Sequence, residues 1–284
     1  MNYSFIDQVN GGRFHLFSGR HIQNQDYYSS PSPVSYYTIL FNTGFERNII
    51  LDGICYSLPR FGIVPVMFNQ SYQLPPSEDL VIWRFNREFY CIVNHDKEVG
   101  CAGFLFYGSW GQLILKPDEA CQKKLSLLLE VFKDEFEDKD DIQGNMLRML
   151  LVRLIITITR LARSQYLPGG LVEEQKFDLL RQFNLLVENN YRLQHEVKFY
   201  AAALFKSPKT LANTFARFQS VSPLQIIHQR IMLEAKRLLN FTEKSIKEIA
   251  HELGFEDAAH FTKFFKKQCG VNPTEYKKKL QAVL

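Results

Sequence analysis

The sequence predicts an α+β chain of two domains, and three observations carry that expectation. The first third alternates aromatic and β-branched runs with turn residues. Near Lys116-Pro117 the apolar period changes from two to about 3.6, and the tail carries one helical pattern twice, about fifty residues apart. With 284 residues, 46% of them hydrophobic, the chain has ample material for two cores.

The expected strands are Phe14 to Phe17, Tyr36 to Phe41, Ile49 to Leu51, Ile63 to Phe68, Leu80 to Phe85, Phe89 to Val93 and Phe104 to Tyr107. Breaks such as Pro31-Ser32-Pro33, Asn42-Thr43-Gly44 and Pro75-Pro76-Ser77 suit an antiparallel sandwich or small barrel over residues 1–116. From 117 to 167 a helical hairpin is expected. Its first helix carries the stripe Leu125, Leu128, Leu129, Phe132 and Phe136, and an acidic turn from Glu137 to Asp141 follows. The second helix, about Gln143 to Gln165, is apolar over so much of its circumference that a second buried face is implied. A homodimer contact through Leu128, Phe132, Leu147, Leu151, Leu154 and Ile158 is one reading, and a purely intramolecular core is the other. Pro168-Gly169-Gly170 and the polar stretch Val172 to Lys176 read as a linker, residues 168–176.

Residues 177–284 read as helical throughout. Val197, Tyr200, Ala201 and Leu204 recur as Ile246, Ile249, Ala250 and Leu253. Leu211, Phe215, Ser222 and Pro223 recur as Phe261, Phe265, Asn272 and Pro273, with one extra residue in the second turn. Each copy has the outline of a helix, a tight turn and a second helix, the form of a helix-turn-helix DNA reader. In the first copy Ser207 is placed as N-cap and Pro208 at the first helical position. In the second, Ser245 with Glu248 forms a capping box, Gly254 ends the support helix and Asp257 caps the next. With Leu211, Phe215, Phe261, Phe264 and Phe265 inward, the outer faces offer Lys209, Thr210, Asn213, Ala216 and Arg217 in one copy. The other offers Ala258, Ala259, Thr262, Lys263 and Lys266. Small residues allow close approach to base edges, and lysines reach phosphates.

Charge agrees with this division. Residues 171–284 hold 18 Lys and Arg against 12 Asp and Glu, a net of +6, whereas the remainder holds 16 against 18, a net of −2. A basic tail beside a nearly neutral partner suits phosphate binding. Cys55, Cys91, Cys101, Cys121 and Cys269 are widely spaced with no CxxC pair, so neither a disulfide framework nor a zinc module is expected, and a reducing cytoplasm is the simplest home. The amino terminus lacks a basic stretch before an apolar core, so no secretory signal is expected. The apolar run from Met146 to Leu161 is interrupted by Arg148, Arg153 and Arg160, which argues against a membrane span.

Ser245-Ile246-Lys247-Glu248-Ile249-Ala250, Leu253-Gly254-Phe255, His260-Phe261, Phe264-Phe265-Lys266-Lys267 and Gly270-Val271-Asn272-Pro273-Thr274-Glu275-Tyr276 closely resemble the second helix-turn-helix of the AraC/XylS, or arabinose-regulator, family of bacterial transcription factors. Tyr200-Ala201, Leu204, Ser207-Pro208, Leu211 and Phe215 resemble the first, and the run from Arg230 to Leu239 resembles the connecting helix. The resemblance covers about residues 177–280. It implies an all-α domain of seven helices that sets two recognition helices in successive major-groove segments, with Ser207, Lys209, Thr210, Ala212, Asn213, Arg217, Ala258, Ala259, Thr262, Lys263 and Lys266 as candidate DNA contacts. Two positions depart from the family pattern. Ser220 stands where glycine is usual, and Ala212 stands where a longer polar base reader would be expected.

The amino-terminal part looks like the cupin-type effector and dimerisation domain that many such regulators carry. The implied function is a dimeric regulator, commonly an activator working with RNA polymerase and controlled by a small molecule. His15, Tyr37, Arg60, Tyr72 and Trp83 are candidate effector-lining residues. A ligand-independent regulator, a protein-interaction module and a cupin-type enzyme are the alternatives. His15, His21 and His95 are isolated, and no His-x-His followed by glutamate occurs among the expected strands, so no metal, cofactor or catalytic residue is expected.

Overall fold

The computed structural model describes residues 2–18, 36–51, 54–66, 70, 72–75, 77–95, 105–106, 112–166, 170–218 and 222–281, with backbone alone at 93, 170–177, 217–218, 241 and 278–281. They fall into two units, one ending at Glu174 and the other Gln175–Leu284.

In the first unit the strands are β1 (Asn2–Ile6), β2 (Arg13–Ser18), β3 (Tyr36–Asn42), β4 (Arg47–Leu51), β5 (Ile54–Leu58), β6 (Ile63–Val66), β7 (Tyr72–Gln73) and β8 (Leu80–Asn86). They form two antiparallel sheets of order β1-β2-β8-β3-β6 and β5-β4-β7. The two-residue period sorts the side chains. Phe17, Leu40, Val64, Val66, Leu80 and Ile82 of the large sheet meet Ile49, Leu51, Leu58 and Tyr72 of the small one in a shared core. Their neighbours Phe14, Leu16, Tyr37, Ile39, Phe41, Trp83 and Phe85 are buried on the opposite face. There α2 (Glu119–Glu137) covers them through Phe132, whose ring lies 5.6 Å from Phe14 and 6.1 Å from Trp83. A central sheet covered on both sides explains why β3 and β8 are apolar at most positions on both faces, with Thr38 and Arg84 as the polar exceptions within them.

Two expected strands are corrected. Phe89 follows a turn in which Asn86 Oδ1 accepts from Phe89 N at 3.1 Å, and Ile92–His95 form the short helix α1. The apolar character of this stretch serves packing: Phe89 stacks on Phe14 at 5.0 Å. Leu105 and Phe106 are helical, and Phe104 and Tyr107 lie outside the described residues. Strands β1, β5 and β7 are additional to those expected.

Helix α3 (Gln143–Tyr166) runs beside α2. Of the six residues expected at a dimer contact, Phe132, Leu147, Leu151 and Leu154 at 0% exposure and Ile158 at 1% are instead core, while Leu128, 5% exposed, lines an open groove on the hairpin. The wide apolar stripe is consumed by the chain's own sheet and hairpin. The apolar side chains that do face outward are Leu127, Val131, Ile142, Met146 and Met149.

The second unit is helical: α4 (Gly170–Asn190), α5 (Val197–Ala203), α6 (Pro208–Phe218), α7 (Pro223–Phe241), α8 (Ile246–Glu252), α9 (Ala258–Cys269) and α10 (Pro273–Gln281). Residues 170–176, expected within a linker, are instead the first turns of α4. Leu171, Glu173, Glu174, Gln175 and Lys176 all favour the helix, which outweighs the cost of one terminal glycine. Pro168 and Gly169 lie outside the described residues.

Candidate nucleic-acid interface

Each half of the repeat mounts one helix with its outer side free. In the first, Ser207 Oγ accepts from Thr210 N at 3.0 Å and so caps α6. Leu211 and Phe215 are fully buried, Phe215 lying 4.9 Å from Phe183, which in turn lies 5.4 Å from Tyr200 of α5. Helical geometry then turns Lys209, Thr210, Ala212, Asn213 and Ala216 outward, and all five are exposed. The side chain of Arg217 and residue Ser220 lie outside the described residues.

In the second half the capping box at Ser245 is complete: Glu248 N donates to Ser245 Oγ at 3.2 Å, and Ser245 N donates to Glu248 Oε2 at 2.7 Å. Gly254 adopts φ 76°, and Asp257 Oδ1 accepts from His260 N at 2.6 Å to start α9. Phe261 and Phe265 are buried, while Ala259, Lys263 and Lys266 are exposed. Ala258 and Thr262 are half-buried, and Thr262 Oγ1 donates to Ala258 O at 2.6 Å, so that hydroxyl hydrogen is already engaged. His260 and Lys267 share this exposed side, and Lys206 stands just ahead of α6. Their positions next to the outward residues could have marked them from periodicity alone.

The two halves meet on α7, whose buried Ile227, Ile231, Ala235, Leu238 and Leu239 form its core face. Ser222 and Gln225 cap it with a second capping box. Glu234, 3% exposed, sits at the centre of a cationic cage: Arg237 Nη2 donates to it at 2.8 Å, Arg192 Nη2 at 2.9 Å, and Arg230 Nη1 lies 3.5 Å away. Burial alone would raise its pKa. The hydrogen bond from Arg237 and the charges of Arg230, Arg237 and Arg192 outweigh that and hold the carboxyl at about 2.

The candidate effector residues do not converge. His15 and Tyr72 lie on the inter-sheet side, both within the field of Arg84. His15 contacts Ser4 Oγ at 2.9 Å and Tyr36 OH at 3.3 Å, and burial, then Arg84 and Arg13, depress it to about 4. Tyr37 and Trp83 sit one residue out of phase with Thr38 and Arg84, on the helix-covered face at 0% and 1% exposure. They are core, not lining. Arg60 is exposed, its guanidinium 4.8 Å from the Phe61 ring. Among the described residues no group of three or more His, Cys, Asp or Glu side chains could hold a metal, and no helix is long and apolar enough to cross a membrane.

A family model described as a helix-turn-helix domain matches residues 200–279, the segment that holds both exposed helices. This segment is an AraC/XylS-type helix-turn-helix domain. The chain is 29% identical over 103 residues to the uncharacterized HTH-type transcriptional regulator YdiP of Escherichia coli K12, covering 36% of this chain and 34% of that one. It is 32% identical over 92 residues to the uncharacterized HTH-type transcriptional regulator YisR of Bacillus subtilis 168, 32% of each. The match thus spans about a third of the length of these relatives. The solved C-terminal domain of the two-component response regulator yesN from Fusobacterium nucleatum is 29% identical, with 34% of this chain and 93% of that one covered and a TM-score of 0.32. Both YdiP and YisR are named as transcriptional regulators.

Proposed function

We propose that this chain is a sequence-specific, duplex-DNA-binding transcriptional regulator whose AraC/XylS-type domain sets α6 and α9 into successive major-groove segments. The observation that carries the reading is the repeated outer face: buried Leu211 and Phe215, then Phe261 and Phe265, leave small, amide and cationic side chains exposed on each helix. Lys209, Lys263 and Lys266 serve phosphates, Asn213 and Thr210 face base edges, and Ala212 with Ala258 and Ala259 permits apolar contact to thymine methyls. Binding is then steeply salt-dependent, because each neutralised phosphate releases counterions. The test is a gel-shift titration against random duplex DNA at several salt concentrations. Binding that is absent, or indifferent to salt, sinks the reading.

The chain works as a homodimer through the outward residues of the hairpin, Leu127, Val131, Met146 and Met149, beside an open groove of about 670 Å³ lined in part by Leu128, Val152 and Ile156. One end of the hairpin is basic, with Lys124, Arg153 and Arg160; the other carries Glu130, Asp134, Glu137 and Asp141. A two-fold axis lays each acidic end on the partner's basic end. Leu127→Glu with Met149→Glu should give monomers in sedimentation, and an unchanged mass would remove this face. The first unit carries the cupin-like, effector-responsive role, its polar inter-sheet cluster of His15, Tyr36, Tyr72 and Arg84 being the place for a small molecule. Activation through RNA polymerase in the cytoplasm is the output, and no metal or cofactor is required.

A further inference from the structure

The two recognition helices are separate cantilevers on α7, and a domain that reads two groove segments needs their separation and phase fixed. The turn between α4 and α5, residues 191–195, joins both sides. Toward the first helix-turn-helix, Gln194 O accepts from Tyr200 OH at 2.7 Å, and Tyr200 leads through Phe183 to Phe215 of α6. Toward the second, Arg192 reaches two acids at once: Glu234 of α7 at 2.9 Å and Glu252 of α8 at 3.8 Å. Its main chain presses on the second turn so closely that a Cβ on Gly254 would lie 2.0 Å from Arg192 O. Two residues on, the His195 ring lies 4.8 Å from Phe255, which packs on His260, Phe261 and Phe264 of α9 at 5.5, 5.3 and 5.1 Å. An unbroken line of contacts therefore runs from α6 to α9 through this turn, independent of the apolar seam on α7.

We propose that the 191–195 turn is a bracket that sets the half-site spacing the domain accepts, with Arg192 as its positioning residue. The inference rests on the DNA-binding reading above. Arg192 touches no DNA in this scheme; it holds α8, and with it α9, at one angle to α6. One inserted base pair moves the second half-site by about 3.4 Å along the axis and turns it by roughly 35° about it. A braced domain cannot follow such a change, whereas an unbraced one swivels on α7.

The experiment begins with full-length protein and random-duplex selection, followed by affinities for the enriched duplex and for versions with one base pair added or removed between half-sites. Wild type should lose about tenfold or more on either change. Arg192→Ala should bind the parent duplex a few-fold more weakly, yet lose less than about threefold on either spacing change. Glu252→Gln, which leaves the Glu234 cage intact, should fall between the two and serves if Arg192→Ala does not fold by circular dichroism. A merely structural role would weaken all duplexes together. A folded variant that keeps the full spacing penalty overturns the bracket alone, and a wild-type chain that enriches no duplex overturns the DNA reading along with it.

Discussion

In the first helix-turn-helix unit the residue after Leu204 is Phe205, at φ 53°; in the second the residue after Leu253 is Gly254, at φ 76°. Both turns need a left-handed residue, and only one uses glycine. Conformation alone therefore does not demand it. Phe205 is 93% exposed, whereas a Cβ at 254 would lie 2.0 Å from the Arg192 carbonyl oxygen. The second turn is a docking point and the first is free. The outer faces differ too. By the repeat, Lys209, Asn213 and Ala216 stand where the second copy has Ala259, Lys263 and Lys266. The first face is suited to base reading by an amide and the second to phosphate contact by cations.

The sharpest way to break this comparison is Gly254→Ala. Left-handed alanine costs about 1–2 kcal/mol, and the displaced Arg192 carbonyl adds to it. The helical domain should lose on the order of 3 kcal/mol or more in urea unfolding. A loss of no more than about 2 kcal/mol, the left-handed cost alone, would show that the 191–195 turn moves aside freely.

The link between the two helix-turn-helix halves titrates. Glu234 is held at about 2 in the fold against an ordinary 4.5. A depressed carboxyl stabilises the fold above about pH 4.5, and that stability is lost as pH falls toward 2, roughly 3 kcal/mol at most. Glu234→Gln should flatten the stability profile of the helical unit in this window. A profile that stays as steep would place the acid sensitivity elsewhere.

The contrast between faces predicts different failures on DNA. Lys263→Glu should weaken binding to every duplex about tenfold and reduce the salt slope. Asn213→Ala should cost less on average, yet relax preference at one base position, as anisotropy titrations against single-base variants would read. Equal loss across all variants for both would erase the division of labour.

Local chemistry made much of this legible. Caps at Ser207, Ser245 and Asp257, the left-handed Gly254, and the buried pairs Leu211 with Phe215 and Phe261 with Phe265 each declare themselves within a few residues. What stayed hidden depends on distant partners. Nothing near Gly254 in sequence names Arg192 as its neighbour, and the Arg192–Glu234–Glu252 bridge joins three elements. The hairpin's apolar surplus could serve a partner or the chain's own core, and only packing shows that Leu147, Leu151 and Leu154 are buried within the chain itself. Likewise, aromatic content at Phe89 to Val93 looks like a strand whether its rings flank a ladder or fill a corner beneath one. A one-residue phase decides that His15 and Tyr72 face the inter-sheet space while Tyr37 and Trp83 do not.

The smallest effect belongs to the free turn. Phe205→Gly removes left-handed strain of about 1–2 kcal/mol, but adds unfolded-state freedom of about 0.5–1 kcal/mol. With the ring almost wholly in solvent, little packing is lost. The net change in urea unfolding should be between zero and about 1.5 kcal/mol of stabilisation, opposite in sign to Gly254→Ala at the matching position. Destabilisation by more than about 1 kcal/mol would mean that the Phe205 ring has a partner in the folded chain, and the two turns would then both be docking points.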